Sequence, residues 1–155
     1  MHLPSLCLLM VGSLAAQTPI PNPSVIHPDH WVVLKGKEAR SLTDQCSRIG
    51  VVGVTDLWQP SDSDVQRLMG ALPAFVQGQS PSLGNEVAHY NFQVAGFVAN
   101  GERIIYVNAF RDSVFRARDW HSKAVLPCDG GSLFWGVEYI PSKKQFRKLS
   151  TNGAL

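Results

Sequence analysis

The chain is predicted to belong to the α+β class, with one main helix packed on an antiparallel β-meander of about four strands. Three observations predict it. Asn100-Gly101 separates two apolar runs, 92–99 and 103–110, and Asn-Gly tolerates positive φ at both central positions of a two-residue hairpin turn. Val65, Leu68, Met69 and Leu72 fall at i, i+3, i+4 and i+7, the spacing of one helical stripe. An alternating run at 132–139 is followed by Pro141-Ser142-Lys143-Lys144 and a returning segment at 145–150.

The N-terminus reads as a targeting segment. Residues 3–14 are nearly all apolar, and Ser13-Leu14-Ala15-Ala16 supplies the small residues of a cleavage site, so residues 1–16 are expected to be a signal peptide. The pattern departs from the usual one in lacking Lys or Arg before the apolar run. That run is too short to span a bilayer as a helix. Cys7 lies inside it, and Leu6 stands where a lipoprotein would carry a small residue. Residues 17–30 contain Pro19, Pro21, Pro23 and Pro28 and read as an extended Pro-rich leader. Residues 31–155 are expected to form a single α+β domain.

Within that domain, residues 31–34 are a short strand candidate stopped by Lys35-Gly36-Lys37. Residues 39–48 are polar and allow a short helix carrying Cys46. Residues 49–57, rich in Val and Gly, allow a strand or an irregular lead-in. The helix begins after Pro60-Ser61, where Ser61 and Asp64 approximate a capping box. Pro73 lacks an N–H, so the helix is expected to kink or end near Leu72, with one further turn reaching Val76. Residues 77–86 read as a loop.

A two-residue turn pairs Ala99 with Glu102, Phe97 with Ile104 and Ala95 with Tyr106. Phe92, Val94, Val98, Ile105, Val107 and Ala109 then share one face, and Phe97, Ile104 and Tyr106 the other. Two apolar faces predict a central hairpin covered on both sides, with the helical stripe over one of them. Residues 111–120 read as a connecting loop or short helix. A second hairpin is expected to start at 123–126, cross Cys128-Asp129-Gly130-Gly131, and continue through 132–139. Leu133, Trp135, Val137 and Tyr139 share one of its faces.

Bulk composition sets further bounds. The 155 residues carry 14 basic and 12 acidic side chains, a net charge of +2, which is too weak to make nucleic acid or an anionic membrane the main partner. Removing residues 1–16 removes no charged side chain and leaves two cysteines, Cys46 and Cys128. In an oxidising compartment the simplest use of such a pair is a disulfide. A loop of that length is worth roughly 4–5 kcal/mol in the entropic treatment. Two free thiols are the alternative.

Motifs carry a resemblance as well. Trp58-Gln59-Pro60-Ser61, Tyr106-Val107-Asn108-Ala109-Phe110, Trp120, Asp129-Gly130-Gly131-Ser132 with Phe134 and Tyr139, and the closing Asn152-Gly153 resemble a group of small exported bacterial proteins of uncharacterised function. The Asp-Gly-Gly-x-x-Phe block is its most specific part. The resemblance spans roughly residues 57–153 and implies no catalytic residue. The expected helix and meander are similar to the cystatin-like plan, in which a curved sheet wraps one helix. That likeness implies no function by itself.

Each group that could carry chemistry has a plainer reading beside it. Cys128 with His121 and Asp129 could form a thiol hydrolase, since a thiolate needs a base and an orienting group. A bonded or buried Cys128 beside a glycine turn is the plainer reading. His27 and His30, with His89 and His121 available, could seed a metal site, but Pro28 keeps the pair extended. Asp129-Gly130-Gly131 fits turn chemistry better than a calcium loop. Asn108, in mid-strand, is a candidate ligand contact or an ordinary buried amide. Arg111, Arg116, Arg118 and Lys123 bracket Phe115 and Trp120, the interleaving that contacts single strands or acidic sugars, or else a solvated loop with aromatic anchors. Arg111, Trp120 and Trp135 join Asn108 as the binding candidates. Lys143, Lys144, Arg147 and Lys148 sit where edge charges discourage aggregation.

The leading expectation is therefore an exported (periplasmic or secreted) non-enzymatic binding module, meeting an unknown protein or small ligand in the envelope or outside the cell. No cofactor, no nucleic acid and no transmembrane helix in the mature chain are expected. The alternatives are a small thiol-dependent hydrolase using Cys128 and His121, and an envelope-associated structural protein tethered by its leader.

Overall fold

A computed structural model describes residues 25–111 and 119–154. The expected signal peptide, most of the leader, and Phe115, Arg116 and Arg118 of the basic-aromatic stretch lie outside the described residues. The element order is β1 (Trp31–Val33), α1 (Gly36–Ser41), β2 (Val54–Trp58), α2 (Asp62–Gln79), α3 (Pro81–Gly84), β3 (Tyr90–Ala99), β4 (Glu102–Arg111), β5 (Phe134–Ile140) and β6 (Gln145–Thr151).

The strands form one six-stranded mixed sheet, which corrects the expected antiparallel meander of about four strands. Strands β3 to β6 do run as a meander. The addition comes from upstream of the helix. β1 pairs in parallel with β3 from Phe92 to Val94, and β2 pairs antiparallel with the same edge from Gly96 to Ala99. A ten-residue β3 leaves an edge long enough for two short strands end to end, and that edge would otherwise leave backbone groups unpaired. Gly96 permits the junction. A Cβ there would lie 2.3 Å from the Trp58 carbonyl oxygen, so only glycine lets the end of β2 come so close.

The first hairpin turns at Asn100-Gly101, with φ of 51° and 77°, in the expected register of Ala99 with Glu102, Phe97 with Ile104 and Ala95 with Tyr106. Both faces are covered. Phe92, Val94, Ile105 and Val107 pack under Val65, Leu68, Met69, Leu72 and Val76 of α2. On the other face Ala95, Phe97, Ile104 and Tyr106 pack against Leu34, Ala39, Leu42 and Val51.

Helix α2 starts at the expected capping box, with Ser61 and Asp64 bonding each other's backbone N–H. It does not stop near Leu72. It runs through Pro73 to Gln79, because Pro73 forgoes a single intrahelical bond while Leu72 and Val76 on the buried face keep the axis seated. The last turns also support β6, where Phe75 stacks on Phe146 at 4.7 Å between ring centroids.

Residues 77–86, expected as a loop, carry the end of α2 and the short helix α3, and three other expectations change. α1 ends at Ser41, so Cys46 lies beyond the helix in a bend. Residues 123–126 form no strand; buried side-chain amides hold their backbone instead, as described below. Ile26, inside the expected leader, is 6% exposed and belongs to the core under α2.

Candidate functional site

The sheet face opposite α2 carries a buried polar cluster. Strand alternation places Gln93 of β3, Tyr106 and Asn108 of β4 and Gly136 of β5 on that face, and Gln93 and Asn108 are direct cross-strand partners. Gln93 and Asn108 are 0% and 1% exposed. Burial at that depth requires hydrogen bonds, and the irregular segment 119–129 supplies them. Gln93 Nε2 donates to the carbonyls of Trp120 and Lys123 at 2.6 and 2.5 Å, and its Oε1 accepts from Val125 N at 2.8 Å. Asn108 Nδ2 donates to Val125 O at 2.9 Å, and Asn152 Nδ2 to Pro127 O at 2.7 Å.

Arg48 enters the same cluster from the loop after α1. It is 7% exposed, and its guanidinium donates to Asn108 Oδ1, to Asn152 Oδ1 and, from Nε, to the Tyr106 hydroxyl at 3.1 Å. These acceptors are neutral, whereas the guanidinium is always charged. The nearby carboxylate of Glu138, beside Tyr106 in the register, is engaged by Arg147 at 2.6 Å and Lys148 at 2.9 Å. Burial raises the Tyr106 pKa above its ordinary value, with Arg48 opposing. Gly136 makes room for the cluster, since a Cβ there would lie 2.2 Å from the Tyr106 hydroxyl and 3.1 Å from Arg48 Nε.

A disulfide joins the two irregular segments over this face. Cys46 and Cys128 are bonded, with Cα atoms 4.8 Å apart across 82 residues of sequence. Both half-cystines are exposed. The glycine block lies alongside. Gly131 N donates to Gly153 O at 3.0 Å, Asp129 bridges Gly153, and Gly130, at φ 106°, lies against the Phe134 ring. The Asp-Gly-Gly-x-x-Phe block and the closing Asn152-Gly153 thus meet in space and tie the chain's end to the sheet.

Beyond Arg48 the loop turns outward. Ile49 is 74% and Val52 62% exposed, while Val51 between them is 6% exposed and packs into the core. The far end is clamped to the hairpin turn: Asn100 N donates to Gly53 O at 3.2 Å and Asn100 Nδ2 to Val52 O at 3.4 Å. Gly53, at φ 75°, packs against the Asn100 side chain. Two β-branched side chains therefore stand in water on a loop held at both ends.

The candidates read from sequence are dispersed. Cys128 is bonded to Cys46 and holds no thiol while that bond stands. His121 is exposed and stacks on Trp120 at 3.7 Å between centroids. The Asp129 side chain is exposed, and its backbone joins Gly153. Asn108 lies in the buried cluster. Arg111 pairs with Glu86 at 2.5 Å and sits over the Tyr90 ring. Trp120 packs edge-on against Phe110, beside the segment that Gln93 holds. Trp135 is fully buried under α2 against Tyr90 and Phe92, with no partner for Nε1 among the described residues, so it presents no ring to a ligand. His27 faces Asp29 at 3.2 Å, and His30 Nδ1 lies 3.2 Å from Tyr90 O. Among the described residues no three His, Cys, Asp or Glu side chains are grouped to hold a metal ion.

Cavities lie elsewhere. One of about 210 Å³ and one of about 510 Å³ adjoin along α2 around Val25, Gly70 and Pro73. A third, of about 150 Å³, lies between α1 and β2 beside Trp58. Sequence reasoning missed Arg48, Ile49 and Val52. Arg48 sits in a polar stretch without periodicity, and nothing local distinguishes an outward Ile49 from an inward Val51. No protein-family model, no curated protein and no solved structure matches the chain.

Proposed function

We propose that the protein is an exported, non-enzymatic binding module that meets a protein partner through the loop bearing Ile49 and Val52. One observation carries the reading: two exposed β-branched side chains project from a loop whose ends are held by the Cys46–Cys128 bond, the buried Arg48 and the Asn100 clamp. Single exposed apolar residues are ordinary on any surface. A pair on a pre-ordered loop is different, because little conformational entropy remains to be lost when a partner closes over it. The Cys46–Cys128 bond supports export, since such bonds persist in oxidising compartments. No helix among the described residues is long and apolar enough to cross a membrane. The same reading keeps the resemblance to small exported proteins that share the Asp-Gly-Gly-x-x-Phe block; in this chain the block meets Asn152-Gly153 beside the sheet.

Site-specific photo-crosslinking in intact exporting cells tests this. A photoreactive side chain at position 49 should yield a discrete protein adduct, and Val52→Asp in the same chain should abolish it. The same probe at Ala74, exposed on α2, should yield none. The reading fails if position 49 gives no adduct, or gives one no different from position 74.

A further inference from the structure

We infer that the Cys46–Cys128 disulfide is a redox latch that keeps Arg48 inside the protein and thereby sets the loop of Ile49 and Val52. The inference rests on that loop being the contact surface and concerns its regulation.

The two segments that the disulfide joins are held in different ways. Segment 119–129 is tied to the sheet by Gln93, Asn108 and Asn152 through its own backbone, and these bonds do not involve Cys46. The segment leading to Ile49 is held by Arg48 and by the Ser47 hydroxyl, which accepts from Gly153 N at 3.0 Å, and Arg48 is a charge withdrawn from water. Its partners are two amide oxygens and a phenol, and the nearby Glu138 is occupied by Arg147 and Lys148. A buried cation whose acceptors among the described residues are all neutral is a costly arrangement, and water offers it better solvation. The covalent bond two residues away offsets that tendency by holding the loop against segment 119–129. Loss of the bond leaves two arrangements in competition, guanidinium in the cluster or guanidinium in solvent, and only the first presents Ile49 and Val52 as described.

The latch is reachable, because both half-cystines are exposed and thiol–disulfide exchange needs access to a sulfur. The opening step requires a dithiol reductant. One of its thiolates attacks a sulfur of the disulfide, forms a mixed disulfide and releases the other cysteine as a thiolate. The second reductant thiolate then attacks the mixed disulfide and releases the remaining cysteine. Two electrons and two protons pass to Cys46 and Cys128, and the reductant ends as its own disulfide.

Limited trypsin digestion of the exported protein reads the latch directly, because opening exposes the Arg48–Ile49 bond. Cleavage there is compared in the oxidised protein, after dithiothreitol reduction and alkylation, and in Cys46→Ser/Cys128→Ser. Cleavage after Arg103, at the hairpin end of β4 where the following Ile104 is buried, reports global unfolding. The expected result is that the rate of cutting after Arg48 relative to that after Arg103 rises about ten-fold in both opened forms, since cleavage tracks the population of the open state and global unfolding speeds both sites alike. An unchanged rate after Arg48, or equal acceleration at both sites, overturns the inference and leaves a purely structural staple. In Arg48→Met, which carries no charge to expel, thermolysin cleavage before Ile49 should not accelerate on reduction; acceleration equal to that of the wild type also overturns it. The digestion needs no partner, so failure of the latch shows there, whereas failure of the contact surface shows as a missing adduct.

Discussion

Gly136 is the tightest point of the polar face, with the Tyr106 hydroxyl and Arg48 over its Cα. Gly136→Ala should lower stability by about 2 kcal/mol, the usual cost of forcing an extra carbon into a packed site. Urea unfolding measures it, and an unchanged midpoint would refute the close approach. Acid dependence follows from carboxylates held below their ordinary values: Glu38 by the Ala124 N–H and Lys123, Glu102 by Lys143, Asp64 by Ser61. A lowered folded pKa contributes stability that is fully present above the ordinary value and lost as pH falls through the folded one. The thermal midpoint should therefore fall as pH drops below about 4.5, the ordinary value of Glu38, and Glu38→Gln should flatten part of that fall. At this scale the sequence was opaque. Asn108 could be read as a buried amide, and the hairpin register sets Gln93 opposite it, but its partners Arg48 and Val125 come from outside the hairpin.

Secondary-structure elements were more legible where pattern and punctuation agreed. The β3–β4 hairpin, its register and its two apolar faces follow from Asn100-Gly101 and strict alternation. Both are local facts, and the tertiary structure had no reason to override them. Helix α2 shows the limit. Its start was readable from Ser61 and Asp64, but its end was not, because packing of Val76 outweighs the bond that Pro73 removes. Pro73→Ala should restore the bond to the Met69 carbonyl and raise stability by about 1 kcal/mol, a fraction of the interior-proline penalty since part of the ring's packing goes with it. Calorimetry is the check, and a loss of stability would mean that the ring's packing outweighs the missing bond. Strands β1 and β2 were harder to place, because segments of three and five residues owe their pairing to the open edge of β3.

At the scale of the whole molecule the disulfide, the glycine block and the polar cluster act together to close the face that α2 leaves uncovered. The double variant Cys46→Ser/Cys128→Ser should lose about 3 kcal/mol, below the entropic ceiling because the amide network already restrains segment 119–129. Circular dichroism should still report the sheet; its loss would show that the network cannot hold the face alone.

The hairpin and its register, the capped start of α2, the apolar stripe and a cysteine pair suited to a bond are all written locally in the chain. Each rests on interactions between neighbours in the chain or on residue chemistry alone. The six-stranded mixed sheet, the burial of Arg48 and the outward turn of Ile49 and Val52 arise from long-range packing instead. Those depend on which distant backbone edges and buried acceptors were left unsatisfied, and no local pattern records that.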